Sequence, residues 1–264
     1  MRKLSTCKTG KYCPELAVTL CRASLDAYTG PEYTTALCHQ WQAADAKLIT
    51  AGDTEALLLI YPDCAILAFR GTSSGADVKT DLSATRAVWK GCSVHSGFLG
   101  AWQSIRPAVV AALQAHLLHG QPLYVTGHSL GGALATICAV DFGSGRYAGR
   151  THLYTYGSPR VGDWRFANLC NTRLGDCAWR IVHSNDGFAR VPKLFRTRIL
   201  LPEWCPLLPT ARRYRHVSNL VFLTEDRHTL IRPSANRVLL ERVVGFRFDV
   251  GRDHLCIQYL EALL

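Results

Sequence analysis

Short apolar runs alternate along this chain with longer stretches in which apolar residues recur at helical spacing. Two runs, "EALLLIYP" and "CAILAFRG", predict neighbouring strands joined by a tight turn, and "GFLGAWQSIRPAVVAALQAHLLHG" predicts a helix after a polar, irregular interval at residues 72–90. Three further strand-like runs, "PLYVT", "THLYTYG" and "AWRIVH", are separated by helical stretches that begin near Ser129 and Asp163. This alternation predicts the α/β class, with a central, mostly parallel sheet that carries helices on both faces.

The two ends of the chain have patterns of their own. Residues 15–29 have helical spacing and stop at a Gly-Pro turn signal, and "RDHLCIQYLEALL" predicts an amphipathic last helix. Residues 195–250 instead contain four strand-like runs, "RTRILLP", "HVSNLVFL", "NRVLLERV" and "GFRFDV". No internal repeat, low-complexity segment or linker interrupts the pattern, so a single domain over residues 1–264 is predicted.

The basic composition of the chain favours anionic surfaces. The 264 residues include 30 Lys and Arg against 20 Asp and Glu, which gives a formal net charge of +10. The densest basic stretch, "ARRYRHVSNLVF", alternates polar and apolar residues like a half-buried strand, and no zinc-finger spacing or RNP-like stretch accompanies it. We therefore predict no nucleic-acid partner, and a solvated basic face is the simpler interpretation.

The cysteines and the amino terminus bear on the compartment. Eleven cysteines cannot all pair within one chain, and some of them, such as Cys64 and Cys138, lie inside apolar runs where Cys acts as a small core residue. Mostly free thiols are expected, which favours a reducing compartment. The amino terminus lacks the apolar core of a secretory leader, and no apolar run reaches the ~20 residues that cross a bilayer. A cytoplasmic chain without a transmembrane segment is therefore expected; the sequence predicts no oligomeric state.

The pattern Gly-x-Ser-x-Gly occurs twice, around Ser129 and around Ser73. A nucleophilic serine on such a turn needs a strand before it and a helix after it, with small residues where the two cross. Ser129 follows "PLYVT" and precedes "GGALATICAV", whereas Ser73 is followed by the polar stretch "ADVKTDLSA". Ser129 is therefore the candidate nucleophile, and the alternative is a hydroxyl that caps a buried helix.

A serine nucleophile needs a histidine base, and with this turn the chain order is serine, acid, histidine. Three histidines lie far enough along the chain to serve. His254 opens the last helix after a strand-like run and is the first choice. His228 is a loop alternative, and His216 lies inside the alternating stretch "YRHVSNLVF", which favours a residue of the sheet.

The acid should follow a strand beyond the serine. Asp186 comes just after "AWRIVH", two strands further on, where its carboxylate would reach the same edge of the sheet. Asp163 follows a nearer strand, and its setting favours a helix N-cap; Asp176 precedes its strand and would lie at the opposite edge. Asp186 remains as the candidate acid.

An oxyanion hole requires two donors that point at the tetrahedral oxygen. The residue after the nucleophile supplies one backbone N–H, which here belongs to Leu130. The second should come from the loop after "CAILAF", where Thr72 follows Gly71. An ordinary glycine turn is the alternative interpretation of that loop.

Six motifs, in order, make the sequence resemble the class 3 lipases, the fungal-lipase-like branch of the α/β-hydrolases: "FRGTSS", "VHSGFLGAW", "VTGHSLGGALA", "YTYGSPRVGD", "VHSNDGFARVPKL" and "DHLCIQYL". The resemblance implies the α/β-hydrolase fold and no metal or cofactor. It also implies Ser129 as nucleophile, Asp186 as acid and His254 as base, with Thr72 and Leu130 as oxyanion donors. A mobile lid is implied at residues 73–90.

The predicted function is a serine carboxylic-ester hydrolase, a lipase or esterase that cleaves acylglycerol or related fatty-acyl esters through an acyl-enzyme on Ser129. The resemblance implies that the partner is an ester or lipid substrate at a lipid–water interface. A phospholipase or an acyltransferase on the same triad is the alternative. A non-catalytic lipid-binding protein is a further alternative, which a broken triad would have favoured.

Overall fold

The computed structural model describes residues 10–71, 85–117, 120–184, 186, 214–238 and 254–264. A sheet of eight strands runs through this part of the chain. In their order across the sheet, the strands are β1 (Asp45–Ala51), β2 (Thr54–Ile60), β3 (Ala65–Phe69), β6 (Leu123–His128), β7 (Thr151–Tyr156), β8 (Ala178–His183), β9 (Asn219–Leu223) and β10 (Thr229–Ile231). Strands β4 (Arg86–Trp89) and β5 (Cys92–His95) form a separate antiparallel pair.

The middle of the sheet is parallel. Strands β3, β6, β7, β8 and β9 pair in parallel, whereas β1, β2 and β3 form an antiparallel meander and β10 runs against β9. Because β3, β6 and β8 run the same way, Phe69, His128 and His183 end their strands at one edge of the sheet. The predicted α/β-hydrolase fold with a mostly parallel sheet is confirmed, as is the tight turn between β2 and β3.

Helices cover both faces of the sheet. They are α1 (Pro14–Asp26), α2 (Thr34–Trp41), α3 (Ser96–His116), α4 (Leu130–Phe142), α5 (Trp164–Leu174) and α6 (Cys256–Leu263). One buried cluster joins α3, α4 and α5 to alternate residues of β3, such as Leu67 and Phe69; the other joins α1, α2 and α6 to Ile66 and Ala68. Eleven of the thirteen residues of α4 are buried, which explains why its sequence is apolar on every side.

The structure differs from the sequence prediction in several elements. Residues 235–238, which include the first three residues of the predicted strand "NRVLLERV", are helical, because Ser234 after a proline accepts a hydrogen bond from the Arg237 N–H as a helix cap does. Helix α2 and strands β1, β5 and β10 were not predicted, and β4 lies in the interval predicted to be irregular. The runs "RTRILLP" and "GFRFDV" lie outside the described residues. Among the described helices, none has the length and apolarity required to cross a membrane.

Candidate active site

Ser129 lies in the sharp turn between β6 and α4. Its backbone has φ +56° and ψ −126°, an unusual conformation for a residue with a side chain, and its N–H donates to the carbonyl oxygen of Tyr156 on β7 at 2.9 Å. The Ser129 hydroxyl makes no hydrogen bond that caps α4. The turn therefore presents the hydroxyl away from the helix, at the edge where the parallel strands end.

Glycines allow β6, α4 and β3 to approach each other at this turn. A Cβ on Gly127 would overlap the backbone of Gly131 and lie 2.8 Å from the nitrogen of Gly132, and a Cβ on Gly131 would overlap the carbonyl of Phe69. Substitution at either glycine would therefore require backbone atoms to move. This close crossing holds Ser129 at the end of the sheet.

His254 contacts both other members of the predicted triad. Its Nε2 lies 2.8 Å from the Ser129 Oγ, and its Nδ1 lies 3.0 Å from each carboxylate oxygen of Asp186. All three residues are buried, and Asp186 is completely inaccessible. Along the chain, Ser129 and Asp186 are 57 residues apart, and Asp186 and His254 are 68 residues apart. The fold thus brings together three side chains that are distant in sequence.

Tyr259 on α6 is a further member of the site that sequence reasoning missed. Its hydroxyl donates to Asp186 Oδ2 at 2.5 Å and accepts a hydrogen bond from the His183 N–H at 3.1 Å. Burial raises the pKa of Tyr259 well above its usual range, and the nearby Asp186 charge raises it further, so the phenol keeps its proton. Its position on the apolar face of the last helix was the only available signal, and that signal equally predicts a core residue.

The alternative histidine and acid candidates lie in other settings. His228 is exposed and bonds through Nδ1 to Asp226 at 2.7 Å, and His216 precedes β9 instead of lying within the sheet. Asp163 caps α5 by accepting the Phe166 N–H at 3.0 Å, as its context predicted.

Asp176 completes the set of alternatives. It lies in a short 3₁₀ turn before β8 and pairs with Arg232 on the surface. This places it at the start of the strand whose far end leads to Asp186, so it is remote from Ser129.

The predicted oxyanion donors are described only in part. Leu130 is the first residue of α4, directly after Ser129. Gly71 lies close to the turn, because a Cβ on it would be 2.8 Å from the carbonyl oxygen of His128. Thr72 lies outside the described residues, as do residues 73–84 of the predicted lid; most of the remaining lid residues form β4. In the described part of the chain, no three His, Cys, Asp or Glu side chains are grouped as metal ligands would be.

Comparison with known proteins gives a family for this chain. The family model for class 3 lipases matches residues 66–196, which include Ser129 and Asp186. The chain is 41% identical over 118 residues to the secreted mono- and diacylglycerol lipase 1 of Fusarium solani, covering 43% of this chain and 34% of that protein. It is 30% identical over 179 residues to the secreted mono- and diacylglycerol lipase A of Penicillium cyclopium, covering 66% of this chain and 52% of that protein. The chain therefore spans about a third to a half of the length of these relatives.

Solved structures share the fold. The lipase from Rhizopus microsporus var. chinensis superposes with a TM-score of 0.66 at 26% identity, over 91% of this chain and 85% of that one. A triacylglycerol lipase whose catalytic centre is described as a serine protease triad has the same TM-score at 24% identity, over 91% of this chain and 92% of that one. The second likeness supports the fold alone.

The expected cytoplasmic location is wrong. The relatives from Fusarium solani and Penicillium cyclopium are secreted lipases, and Cys13 is disulfide-bonded in this structure. Eight other described cysteines are free, but six of them are buried, and burial raises the pKa of Cys170 to about 12. The reduced state of these six follows from enclosure in the core and so does not indicate a reducing compartment. With the family model, the fungal relatives and the fold in agreement, the resemblance seen in the motifs is confirmed: the chain is similar to the class 3 lipases over residues 66–196.

Proposed function

We propose that this chain is a serine carboxylic-ester hydrolase that cleaves acylglycerols or related fatty-acyl esters through an acyl-enzyme on Ser129. The observation that carries the proposal is the buried line of contacts from the Ser129 Oγ through His254 to Asp186. The names of the fungal relatives favour mono- and diacylglycerols as substrates and an extracellular location. Activity at a lipid–water interface is part of the same proposal.

The proposed reaction begins with attack of the Ser129 Oγ on the ester carbonyl carbon. His254 Nε2, 2.8 Å away, takes the hydroxyl proton as the C–O bond forms, and the Asp186 carboxylate accepts the Nδ1–H of the resulting imidazolium. The negative charge moves to the carbonyl oxygen, where the Leu130 and Thr72 N–H groups are the proposed donors. When the tetrahedral intermediate collapses, His254 gives the proton to the departing alcohol.

Water completes the proposed cycle. His254 takes a proton from a water molecule, which attacks the acyl carbon, and the second tetrahedral intermediate expels the Ser129 Oγ. His254 returns the proton to that oxygen, so a fatty acid leaves and the free enzyme is restored. In both halves Asp186 accepts from Nδ1, which keeps Nε2 directed at the serine.

Tyr259 supports the acid in this scheme. Asp186 is fully buried, so its charge needs hydrogen-bond donors from the protein, and the Tyr259 hydroxyl is one at 2.5 Å. Because the same hydroxyl oxygen accepts the His183 N–H, the carboxylate is held to the end of β8. Tyr259 thus acts as a positioning residue for Asp186.

The test compares wild-type protein with Ser129→Ala on a p-nitrophenyl ester, together with labelling by a fluorophosphonate probe. Ser129→Ala should fold normally by circular dichroism, lose turnover and remain unlabelled. Ser24→Ala is the matched control, because Ser24 is an equally buried serine on α1, and it should keep both activity and labelling. Ser129→Ala protein that hydrolyses the ester at the wild-type rate would contradict the proposal, and an unlabelled wild type would favour a lipid-binding protein.

Substrate class needs a separate measurement. Wild-type enzyme should release fatty acid from emulsified mono- and diacylglycerol faster than from vesicles of anionic or zwitterionic phospholipid. Faster release from phospholipid would favour the phospholipase alternative. Acyl transfer to an added alcohol in preference to water would favour the acyltransferase.

A further inference from the structure

A buried histidine lies directly before Ser129 and has no step in the proposed reaction. His128 is the last residue of β6, and its ring lies between Tyr28, which follows α1, and the backbone of His254. Its Nδ1 lies 3.2 Å from the Tyr28 hydroxyl, and its Nε2 lies 2.5 Å from the carbonyl oxygen of His254. The ring therefore joins the carboxyl end of the amino-terminal helix to the backbone of the proposed base.

The direction of each hydrogen bond follows from the groups at its two ends. A carbonyl oxygen only accepts, so His128 Nε2 carries the proton that points at His254. Burial, together with the smaller effect of the neighbouring His254, lowers the pKa of His128 to about 3, so the ring is neutral and has one proton. Nδ1 is then the acceptor, and the Tyr28 hydroxyl must donate to it. Burial raises the pKa of Tyr28, which keeps that proton in place.

The Tyr28 oxygen also holds the loop after β3. Gly71 packs directly against this oxygen. A Cβ on Gly71 would overlap the Tyr28 oxygen, so only glycine permits this contact. The Arg70 guanidinium lies over the Tyr28 ring, 5.9 Å from its centroid. Gly71 immediately precedes Thr72, the proposed second oxyanion donor.

We propose that Tyr28 and His128 are positioning residues that hold the oxyanion loop at Gly71 and the backbone of His254 in fixed relation to Ser129. The inference rests on the proposed function, because it gives these residues a purpose only if Ser129 reacts. A single chain, which runs from the contact of Gly71 with the Tyr28 hydroxyl through the hydrogen bonds of His128 to Tyr28 and to His254, links the two sides of the site. Its loss should therefore slow the chemical step with little effect on substrate binding.

The first test is Tyr28→Phe, with Tyr154→Phe as the matched control. Each change removes one hydroxyl from a tyrosine in contact with α1 or its ends. Among the described residues, the Tyr154 hydroxyl makes one hydrogen bond, which it accepts from the Cys13 N–H at 3.4 Å. We expect Tyr28→Phe to lower kcat about tenfold or more, less than direct removal of an oxyanion donor, and to change KM less than about twofold. Tyr154→Phe should leave both constants at wild-type values.

The second test uses His128 itself. His128→Gln can place an amide N–H near the position of Nε2 and keep a donor to the His254 carbonyl, whereas His128→Leu has none. His128→Gln should therefore retain a higher kcat than His128→Leu. Adding Tyr28→Phe to His128→Leu should produce no further loss, because both changes break the same chain.

A spectroscopic measurement on wild-type protein needs no variant to fold. Nitrogen-15 NMR of labelled histidines should show His128 protonated on Nε2 and neutral at pH 5. A His128 protonated on Nδ1, or a Tyr28→Phe enzyme with the kcat of the wild type, would overturn the inference. If wild-type protein neither hydrolyses an ester nor reacts at Ser129, the proposed function fails instead, and the NMR result still decides the hydrogen-bond chain.

Discussion

The buried, neutral His128 should make the stability of the protein fall in mild acid. In the unfolded chain its imidazole binds a proton below pH about 6.5, but in the folded protein its pKa is lowered to about 3, first by burial and then by His254. The unfolded state therefore binds more protons between these values, so stability that is fully present above pH about 6.5 is lost as the pH falls toward 3. Between pH 8 and pH 5 this one group should cost about 2 kcal/mol.

Urea unfolding of wild-type and His128→Gln protein at pH 8 and pH 5 measures this loss. Glutamine does not titrate, so the variant should lose about 2 kcal/mol less than the wild type over the same interval, a difference of about 0.5–1 M in the midpoint. All other titrating groups, including His152, whose pKa burial also lowers, are common to both proteins and cancel in the comparison. An equal loss of stability in the two proteins would refute the neutral, buried state of His128.

Three further changes test the site and its frame. Tyr259→Phe removes the donor to the buried Asp186 carboxylate and should lower both the free energy of unfolding by about 2 kcal/mol and kcat about tenfold; wild-type turnover in that variant would contradict its positioning role. Asp163→Ala removes the helix cap that accepts the Phe166 N–H and should cost about 1 kcal/mol in urea unfolding, with kcat unchanged. Gly127→Ala places a methyl group against the backbone of α4 and should lower stability by about 3 kcal/mol or more, which thermal unfolding would detect.

The fold could be predicted from the sequence because its signals are local. Strands β3, β6, β7 and β8 are short apolar runs, and α4 is an apolar helix that begins with glycines, so each element carries its own pattern. Pattern alone misassigned residues 236–238, because a short helical stretch with a serine cap does not differ in hydrophobicity from a strand. The single-domain organisation stays a prediction.

The site could be predicted in part, for a different reason. Ser129 is marked by the glycines that its turn requires, and Asp186 and His254 are marked by their positions after strands in the expected chain order. The structure brings the three side chains within hydrogen-bonding distance, while their roles remain a proposal. The compartment was predicted wrongly because free thiols were taken as evidence of a reducing environment. Of the eight free cysteines in the described part of the chain, six are enclosed in the core.

The sequence by itself determined the order of the central strands and their helices and the turn that carries Ser129, because hydrophobic period and glycine spacing are properties of neighbouring residues. Only the tertiary structure decided that Tyr259 bonds to Asp186 and that Tyr28 and His128 link Gly71 to His254. Along the chain these side chains are an aromatic on a helix face, a tyrosine near a turn and a histidine in a strand, all typical of an ordinary core. Their hydrogen bonds join residues that are between 73 and 126 positions apart in the sequence. No local pattern encodes such pairs, because their partners are chosen by how the helices pack over the ends of the parallel strands.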